Sequence, residues 1–396
     1  MNKCIGSGLR DIAILNYYHF PEGMSATTRI ISYAKGLVQN GVVVESVIFR
    51  PKLDSDPTPM DGEVEGMRFH YCSTRPEKRS QIAKILLDRP AAMIRACRYI
   101  ISSHFDFVLL SFDQLKYLLF FVPILTLAGV RLAFIGDEYP YAIREKQKSR
   151  VPAWQLFLYK VVSVGLKARI LINQTLQAFY DEKITRKPTY ILSTVIDTDR
   201  FPSSLVYHAQ PRNYFCYMGG MQLNNDNVDN IIRAISFLED CTMPLYLFGT
   251  PSPEDLKVIE GLILEYGLQD KVFFKGRASY AEVPAVLTHA SVLLTSQADT
   301  MRARGGVPTK IGEYMLSGTP FLTTDVGDVS SFLKDGETGF LVEPCNPQRY
   351  AEKISFILSH YEEALQVARN GREYVFQHYS AVKQAKGMID FLQNLM

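Results

Sequence analysis

The sequence predicts an α/β protein of two domains, each built on a parallel β-sheet with helices on both faces. Short apolar runs typical of buried strands alternate with amphipathic stretches of helical period, first over residues 11–193 and again over residues 214–324. A polar, proline-bearing connector at residues 202–213 separates the two alternations. The length of 396 residues also suits two domains better than one core.

Each alternation is defined by its predicted strands. In the first, they are expected at residues 11–18, 42–49, 67–71, 107–112, 131–135, 169–172 and 189–193, with a helix at 25–40 after the first. In the second, they are expected at 214–218, 245–249, 272–274, 292–295 and 319–324, with helices at 228–238, 254–266 and 281–289. Such βαβ units predict right-handed crossovers.

Composition excludes several classes of function. A hydrophobic fraction of 47% indicates a globular protein, and a net charge of +2 argues against nucleic acid as a partner. The six cysteines show no metal-ligand spacing, so we expect reduced thiols in a cytoplasmic protein. The apolar run at 12–15 is too short for a signal peptide, and the tract at 117–130, interrupted by Pro123, favours a buried crossover helix over a membrane span.

The stretch 305–339 carries the strongest chemical signal. Pro308 suits the first turn of a helix, and Gly318 suits its C-cap. Gly305 and Gly306 allow close backbone approach to a helix start, whose free N–H groups favour a phosphate. Glu313 would lie one to two turns from that phosphate, about the distance to a ribose diol. A plain crossover helix with a solvated Glu313 is the alternative.

Two segments of this stretch resemble the donor-binding signature of the retaining GT-B glycosyltransferases of family 4, the glycosyl transferases group 1. They are EYMLSGTP at 313–320 and DVGDVSSFLKDGETGFLVEP at 325–344. The resemblance implies an α/β GT-B fold, with two Rossmann-like domains whose parallel sheets face across a cleft. It implies an acceptor-side domain at 1–201, a linker at 202–213, a donor domain at 214–380 and a helix at 381–396 that crosses back to the first domain.

The resemblance also implies a reaction, the transfer of a sugar with retention from a nucleotide-sugar to a hydroxyl of a glycan or lipid-linked acceptor, in cell-surface polysaccharide biosynthesis. No metal or cofactor is expected, because no D-x-D motif directly follows a predicted strand and the nucleotide-sugar is itself the substrate. The expected donor-binding residues are Gly23, Gly219, Gly220, Gly305, Gly306, Val307, Pro308, Thr309 and Glu313. A sugar-nucleotide epimerase and a non-catalytic nucleotide- or glycan-binding protein remain alternatives.

Two loops of the first domain supply further candidates. In the loop at 20–29, Met24, Ser25 and Arg29 are expected on the acceptor side, although an ordinary βα turn capped by Ser25 would look the same. At 136–140 the chain reads GDEYP where relatives carry H-D-x-Y-P, so the family's histidine is missing. Asp137 and Glu138 are expected catalytic residues and Tyr139 an acceptor-side one, the alternative being a solvated capping pair.

The second domain departs from the family in its charges. Relatives carry an arginine and a lysine in G-R-x-x-x-x-K-G, whereas residues 219–227 contain no cation. Because a buried diphosphate needs positive partners, we expect Arg302, Arg304 and Lys310 to replace them as catalytic charges. Asp226→Ala is expected to change turnover little. Solvated loop arginines are the alternative.

The segment 144–167 mixes basic residues with aromatic ones, including Trp154 and Phe157. This pattern is typical of a helix on an anionic membrane surface, so we expect peripheral attachment at the inner face of the membrane. The valines at 161, 162 and 164 would equally suit a core face.

Overall fold

The computed structural model describes residues 8–23, 25–52, 58–73, 88–140, 151–201, 214–238, 240–279, 281–306 and 308–396, with the side chain of Ser25 outside the description. The chain forms two compact units: Met1–Val195 with Ser380–Met396, and Ile196–Tyr379. The expected linker at 202–213, Met24, Val307 and the basic residues at 144–150 lie outside the described residues.

The first unit is built on one sheet, whose described strands run in the order β3-β4-β2-β1-β5-β6-β7-β8. The strands are β1 (Asp11–Asn16), β2 (Val43–Ile48), β3 (Asp61–Val64), β4 (Met67–Tyr71), β5 (Phe107–Ser111), β6 (Leu132–Gly136), β7 (Leu166–Leu171) and β8 (Thr189–Ile191). All neighbours pair in parallel except the edge strand β3, which is antiparallel to β4. Strand β3 was not predicted, because its residues, DGEV, are mostly polar and exposed or half-buried.

Helices cover both faces of this sheet. They are α1 (Ser25–Gln39), α2 (Arg89–Ser103), α3 (Leu115–Leu127), α4 (Ala153–Ser163) and α5 (Gln174–Lys183). Helix α3 confirms the expected crossover helix, and Tyr117, Phe121 and Leu125 on one of its faces are buried. It is continuous through Pro123, however, and Leu127 near its end is 90% exposed. No helix in the described part of the chain is both long and apolar enough to cross a bilayer.

The second unit contains a parallel sheet of order β11-β10-β9-β12-β13-β14. Its strands are β9 (Phe215–Met218), β10 (Leu245–Phe248), β11 (Val272–Gly276), β12 (Val292–Leu294), β13 (Phe321–Thr324) and β14 (Phe340–Val342). Its helices are α6 (Leu223–Asp226), α7 (Val228–Ser236), α8 (Pro253–Glu265), α9 (Val283–His289), α10 (Met301–Arg304), α11 (Thr309–Ser317), α12 (Val329–Phe332), α13 (Pro347–Ser359) and α14 (Tyr361–His378). Ile196 and Phe201 pack into its core, so the unit begins before the boundary expected at residue 201.

The last helix, α15 (Ala381–Gln393), is part of the first unit. Its Met388, Ile389 and Leu392 lie in the hydrophobic cluster that also holds the buried face of α1. The two helices approach closely at Gly36, where a Cβ would lie 2.2 Å from the carbonyl oxygen of Ala381. Glycine at this position therefore permits the contact.

Helix α11 positions the residues that the sequence singled out. Pro308 was expected in the first turn of this helix but is its N-cap, so the helix begins at Thr309. Gly318 ends the helix in the left-handed conformation, with φ of 69°. Ile311, Met315 and Leu316 are buried, as their spacing predicts. Tyr314 is buried as well, and its hydroxyl accepts a hydrogen bond from the backbone N–H of Met218. The helix start is thereby held beside the end of β9.

Candidate functional site

Lys310 lies at the centre of the candidate site in the second unit. Its ammonium donates to Asp226 Oδ1 over 2.6 Å and to the hydroxyl of Tyr217 over 3.0 Å. It also sits 4.6 Å from the centre of the Tyr217 ring, a cation–π distance. A Cβ on Gly219 would lie 2.4 Å from this ammonium and 2.6 Å from the Tyr217 hydroxyl, so a side chain here would displace the lysine head group.

Asp226 is tied to the same loop by its second oxygen, which accepts from the backbone N–H of Gln222 over 3.2 Å. Burial alone would raise the pKa of Asp226, but Lys310 and the hydrogen bonds outweigh it and hold that pKa below its usual value. Asp226 is therefore a carboxylate at neutral pH. The expectation that Asp226→Ala changes turnover little stays a prediction, although the carboxylate is the partner of Lys310.

Glu313 lies one turn further along α11 and accepts a hydrogen bond from the guanidinium of Arg200. The Arg200 side chain is 10% exposed and that of Glu313 is 29% exposed, so the carboxylate stays accessible while its partner is buried. The interaction removes the alternative in which Glu313 is merely solvated. A carboxylate fixed in this way can still accept hydrogen bonds from hydroxyls.

The backbone before α11 is open on one side. Gly305 is buried and ends α10, whereas a Cβ on Gly306 would meet no atom within 4 Å. Thr309, the first residue of α11, is exposed and Pro308 is half-buried. The first N–H groups of this helix can therefore be approached by an anion.

The two arginines before this helix differ in their surroundings. Arg304 is exposed, and its guanidinium makes two hydrogen bonds, of 2.6 and 2.7 Å, to the carboxylate of Asp299. Arg302 is half-buried, and its Nε has no hydrogen-bond partner among the described residues. Both were expected as catalytic charges, and their surroundings separate them: Arg304 is bound within its own loop, whereas Arg302 holds unused hydrogen-bonding capacity.

The first unit has its own charged cluster, formed by α1 and the end of β6. Arg29 contacts Asp137 Oδ1 at 2.8 Å, and the hydroxyl of Tyr33 lies 3.4 Å from the same oxygen. Burial alone would lower the pKa of Arg29, but Asp137 and Tyr33 outweigh it and raise that pKa. Burial, followed by the charge of Asp137, raises the pKa of Tyr33. Asp137, one of the two expected catalytic carboxylates, is thus engaged by a cation. Glu138 beside it is half-buried.

The other loop residues of the first unit are largely structural. A Cβ on Gly136 would lie 2.7 Å from Leu171 Cδ2, so the position that is histidine in relatives has no room for a side chain. Tyr139 is buried against Phe179 with ring centres 5.0 Å apart, which corrects its expected contact with an acceptor. A Cβ on Gly23 would lie 2.1 Å from Thr27 Oγ1, so this glycine packs within its turn.

Sequence reasoning missed four partners: Arg200, Tyr217, Asp226 and Tyr33. Each acts through a contact distant in sequence, so spacing gave no sign of it. One signal was available in the sequence: Asp226 is an acid in the loop 219–227, which contains no cation, and Lys310 was expected near that loop. Among the described residues, no group of three or more histidine, cysteine or acidic side chains is arranged to hold a metal ion.

The buried pair predicts a stability contrast. The side chains of Lys310 and Asp226 are 16% and 12% exposed, whereas those of Arg304 and Asp299 are 58% and 41% exposed. We expect Asp226→Asn to lower the free energy of unfolding by about 1 to 3 kcal/mol at neutral pH, because it leaves a buried ammonium without its counter-charge. Asp299→Asn should cost less than about 1 kcal/mol. Urea denaturation measures both.

The effect of Asp226→Asn should also depend on pH. A depressed folded-state pKa contributes stability above the pKa of the unfolded chain, and this contribution is lost as the pH falls through the folded-state value. The difference between wild type and variant should therefore shrink in acid. A loss no larger than that of Asp299→Asn, or one that does not depend on pH, would contradict the assignment.

Comparisons with known proteins agree with this architecture. Residues 207–374 match the family model described as Glycosyl transferases group 1. A trehalose synthase of Pyrococcus horikoshii is 30% identical over 95 residues, which cover 24% of this chain and 22% of that protein. An uncharacterized glycosyltransferase of Methanocaldococcus jannaschii is 23% identical over 218 residues, covering 55% and 57% of the two chains. The alignments thus span less than two thirds of these curated relatives.

Solved structures match over nearly the whole chain at low identity. A sucrose-phosphate synthase from Thermosynechococcus elongatus superposes with a TM-score of 0.77 at 17% identity, covering 98% of this chain and 99% of the other. The Anabaena protein HepE, in complex with UDP and glucose, gives a TM-score of 0.74 at 14% identity, with 97% and 100% covered. The chain therefore has the GT-B fold, and residues 207–374 of it are similar to the glycosyl transferases group 1 family.

Proposed function

We propose that this protein is a glycosyltransferase that moves a sugar, with retention, from a nucleotide-sugar to a hydroxyl of a glycan or lipid-linked acceptor. The observation that carries the proposal is the pairing of Lys310 and Glu313 on one helix whose start is open to an anion. The match of residues 207–374 to the glycosyl transferases group 1 model supports it.

The donor diphosphate would lie at the start of α11. Lys310 has three N–H donors, of which Asp226 and Tyr217 use two, so one remains for a phosphate oxygen. The helix N–H groups and Arg302 supply further positive potential. The glycine-rich loop at Gly219 and Gly220 permits a close approach to the same point. The cations missing from that loop are thus replaced by one on α11 and one on α10.

The nucleoside would lie against Glu313. Its carboxylate can accept both hydroxyls of a ribose diol, and Arg200 fixes its orientation before the donor arrives. A prearranged carboxylate loses less side-chain entropy on binding than a mobile one. The solved complex of HepE with UDP and glucose makes a uridine nucleotide a reasonable first donor to test.

For the chemical step, we propose that the leaving diphosphate itself accepts the proton of the acceptor hydroxyl. Asp137 is engaged by Arg29, so it does not act as an independent nucleophile. Lys310, Arg302 and the N–H groups of α11 would stabilise the charge that develops on the diphosphate. The protein then contributes positioning and charge stabilisation, with no metal or cofactor.

The alternatives are a sugar-nucleotide epimerase and a non-catalytic binding protein. The absence of the family histidine at Gly136 favours the second over the first, since the position has no room for a side chain. The transferase remains the better proposal because the donor-side charges are replaced rather than lost. A role in cell-surface polysaccharide biosynthesis in the cytoplasm fits this reaction.

We also propose that the protein attaches to an anionic membrane surface through α4. Trp154, Phe157, Val161 and Val164 are 61%, 64%, 48% and 79% exposed and follow one helical stripe. Val162 and Tyr159 are buried, so only the opposite face of α4 serves the core. The exposed Lys160 and Lys167 provide positive charge beside the apolar stripe.

Donor binding tests the proposed function. Glu313→Gln should weaken the affinity for UDP at least tenfold, since a hydrogen bond to a charged group contributes about 1.5 to 3 kcal/mol. Titration calorimetry measures it, with Glu337→Gln as the control because that side chain is 68% exposed on the same unit. The same titration is repeated with the diphosphates of uridine, guanosine, adenosine and thymidine. If Glu313→Gln and wild type bound each of the four with equal affinity, the proposed role of Glu313 would be contradicted.

Membrane attachment is tested with vesicles. The double variant Trp154→Glu, Phe157→Glu should lose co-sedimentation with phosphatidylglycerol vesicles, because burying each aromatic side chain contributes about 1.5 to 3 kcal/mol. Leu264→Glu is the matched control, since Leu264 is 69% exposed on the second unit. Wild-type protein that stays in the supernatant with anionic vesicles would rule the attachment out.

A further inference from the structure

Two arginines of the first unit converge on one tyrosine ring. Arg50 follows β2 and Arg89 begins α2, and their guanidinium carbons lie 5.6 and 5.1 Å from the centre of the Tyr17 ring. Tyr17 itself follows β1, the strand next to β2. The cluster therefore lies at the carboxyl edge of a parallel sheet, the edge where α/β proteins bind ligands.

Neither arginine has an acidic partner among the residues that the structure describes. Both are half-buried, yet no hydrogen bond or ion pair joins Arg50 or Arg89 to another residue in the described ranges. Elsewhere in the same unit the protein satisfies such groups: Arg95, on α2, donates to the carbonyl of Cys72 over 2.9 Å, and Arg29 pairs with Asp137. Half-burying two cations without an acceptor costs free energy that a bound anion would offset.

The surrounding groups form a built site. Tyr17 packs between Phe49 and Tyr117, with ring centres 5.1 and 5.3 Å away, and these aromatic rings fix the position of the two arginines. Arg89 Nε and Gln114 Oε1, a donor and an acceptor, are both buried without a partner among the described residues. Gln114 lies just before α3, whose first turn carries Tyr117.

Tyr117 adds a hydrogen-bond donor to the cluster. Burial, followed by the neighbouring Tyr17, raises the pKa of Tyr117 to about 12, although Arg89 and Arg50 oppose that shift. Its hydroxyl therefore keeps its proton at neutral pH. The two guanidinium groups, which include the buried Nε–H of Arg89, and the phenol are all hydrogen-bond donors, which suits a ligand rich in acceptor oxygens.

We propose that Arg50 and Arg89 bind a phosphate ester carried by the acceptor. This inference rests on the proposed function, because only a transferase has an acceptor. It deepens that function by assigning the acceptor's chemical class. A phosphate monoester carries about −1.5 to −2 charge and three terminal oxygens, enough to accept from both guanidinium groups. A carboxylate offers one negative charge and two oxygens, which leaves the second arginine uncompensated.

Titration calorimetry on the full chain tests the site without requiring turnover. The probes are glucose 6-phosphate and geranyl phosphate, with glucose and geraniol as their uncharged counterparts. We expect a phosphate probe to bind at least tenfold more tightly than its uncharged counterpart. Whichever of the two phosphates binds more tightly shows whether the ester belongs to a sugar or to a lipid. Arg50→Gln with Arg89→Gln should lower that affinity at least tenfold, while the charge-conserving lysine variants lose less.

The control is Arg98→Gln, an exposed arginine on the same helix as Arg89, which should leave affinity unchanged. UDP binding is measured in parallel, and the double variant should bind UDP with the affinity of wild type. Failure of the donor site and failure of this site are therefore distinguishable. Wild-type protein that binds neither phosphate in preference to its uncharged counterpart would overturn the proposal. So would tighter binding of glucuronate than of glucose 6-phosphate, or full phosphate affinity in a folded double variant.

Discussion

The ion pair between Lys310 and Asp226 is the interaction on which the candidate site of the second unit depends. It joins the start of α11 to the loop after β9, two segments that are distant in sequence. The remaining local features follow from it: Gly219 must lack a side chain, Tyr217 lies beneath the ammonium, and Asp226 stays ionised. Because the pair is mostly buried, its geometry is defined before any ligand arrives.

The same principle recurs at each charged candidate. Glu313 is held by Arg200, and Asp137 is held by Arg29. An opposite charge restrains each group and reduces the reorganisation that binding requires, which is the usual basis of electrostatic preorganisation. Arg302, Arg50 and Arg89 are different, because each is half-buried and lacks a full set of partners among the described residues. The paired groups therefore shape the sites, and the unpaired cations are the ones suited to ligand oxygens.

Periodicity and glycine chemistry predicted much of the fold. Most strands of both sheets and the end of α11 at Gly318 could be identified because burial and a positive φ leave local marks in a sequence. The three-residue strand β14 was not predicted. The edge strand β3 left no such mark, and the exposure of Leu127 depends on what packs beside α3. In the site, residue types did not separate Arg302 from Arg304, because the difference lies in the bond to Asp299. The roles of Asp226 and Arg200 were equally invisible, since each depends on a tertiary contact.

The most direct test of the account is the release of nucleoside diphosphate from nucleotide-sugars, followed by mass spectrometry with and without glycan and lipid-linked acceptors. The account predicts release that depends on an acceptor. It also predicts that Arg302→Ala lowers the rate tenfold or more, equivalent to about 1.4 kcal/mol, whereas Arg304→Ala, whose side chain is bound to Asp299, changes it little. Donor binding without release under every acceptor, or equal loss in the two arginine variants, would contradict it.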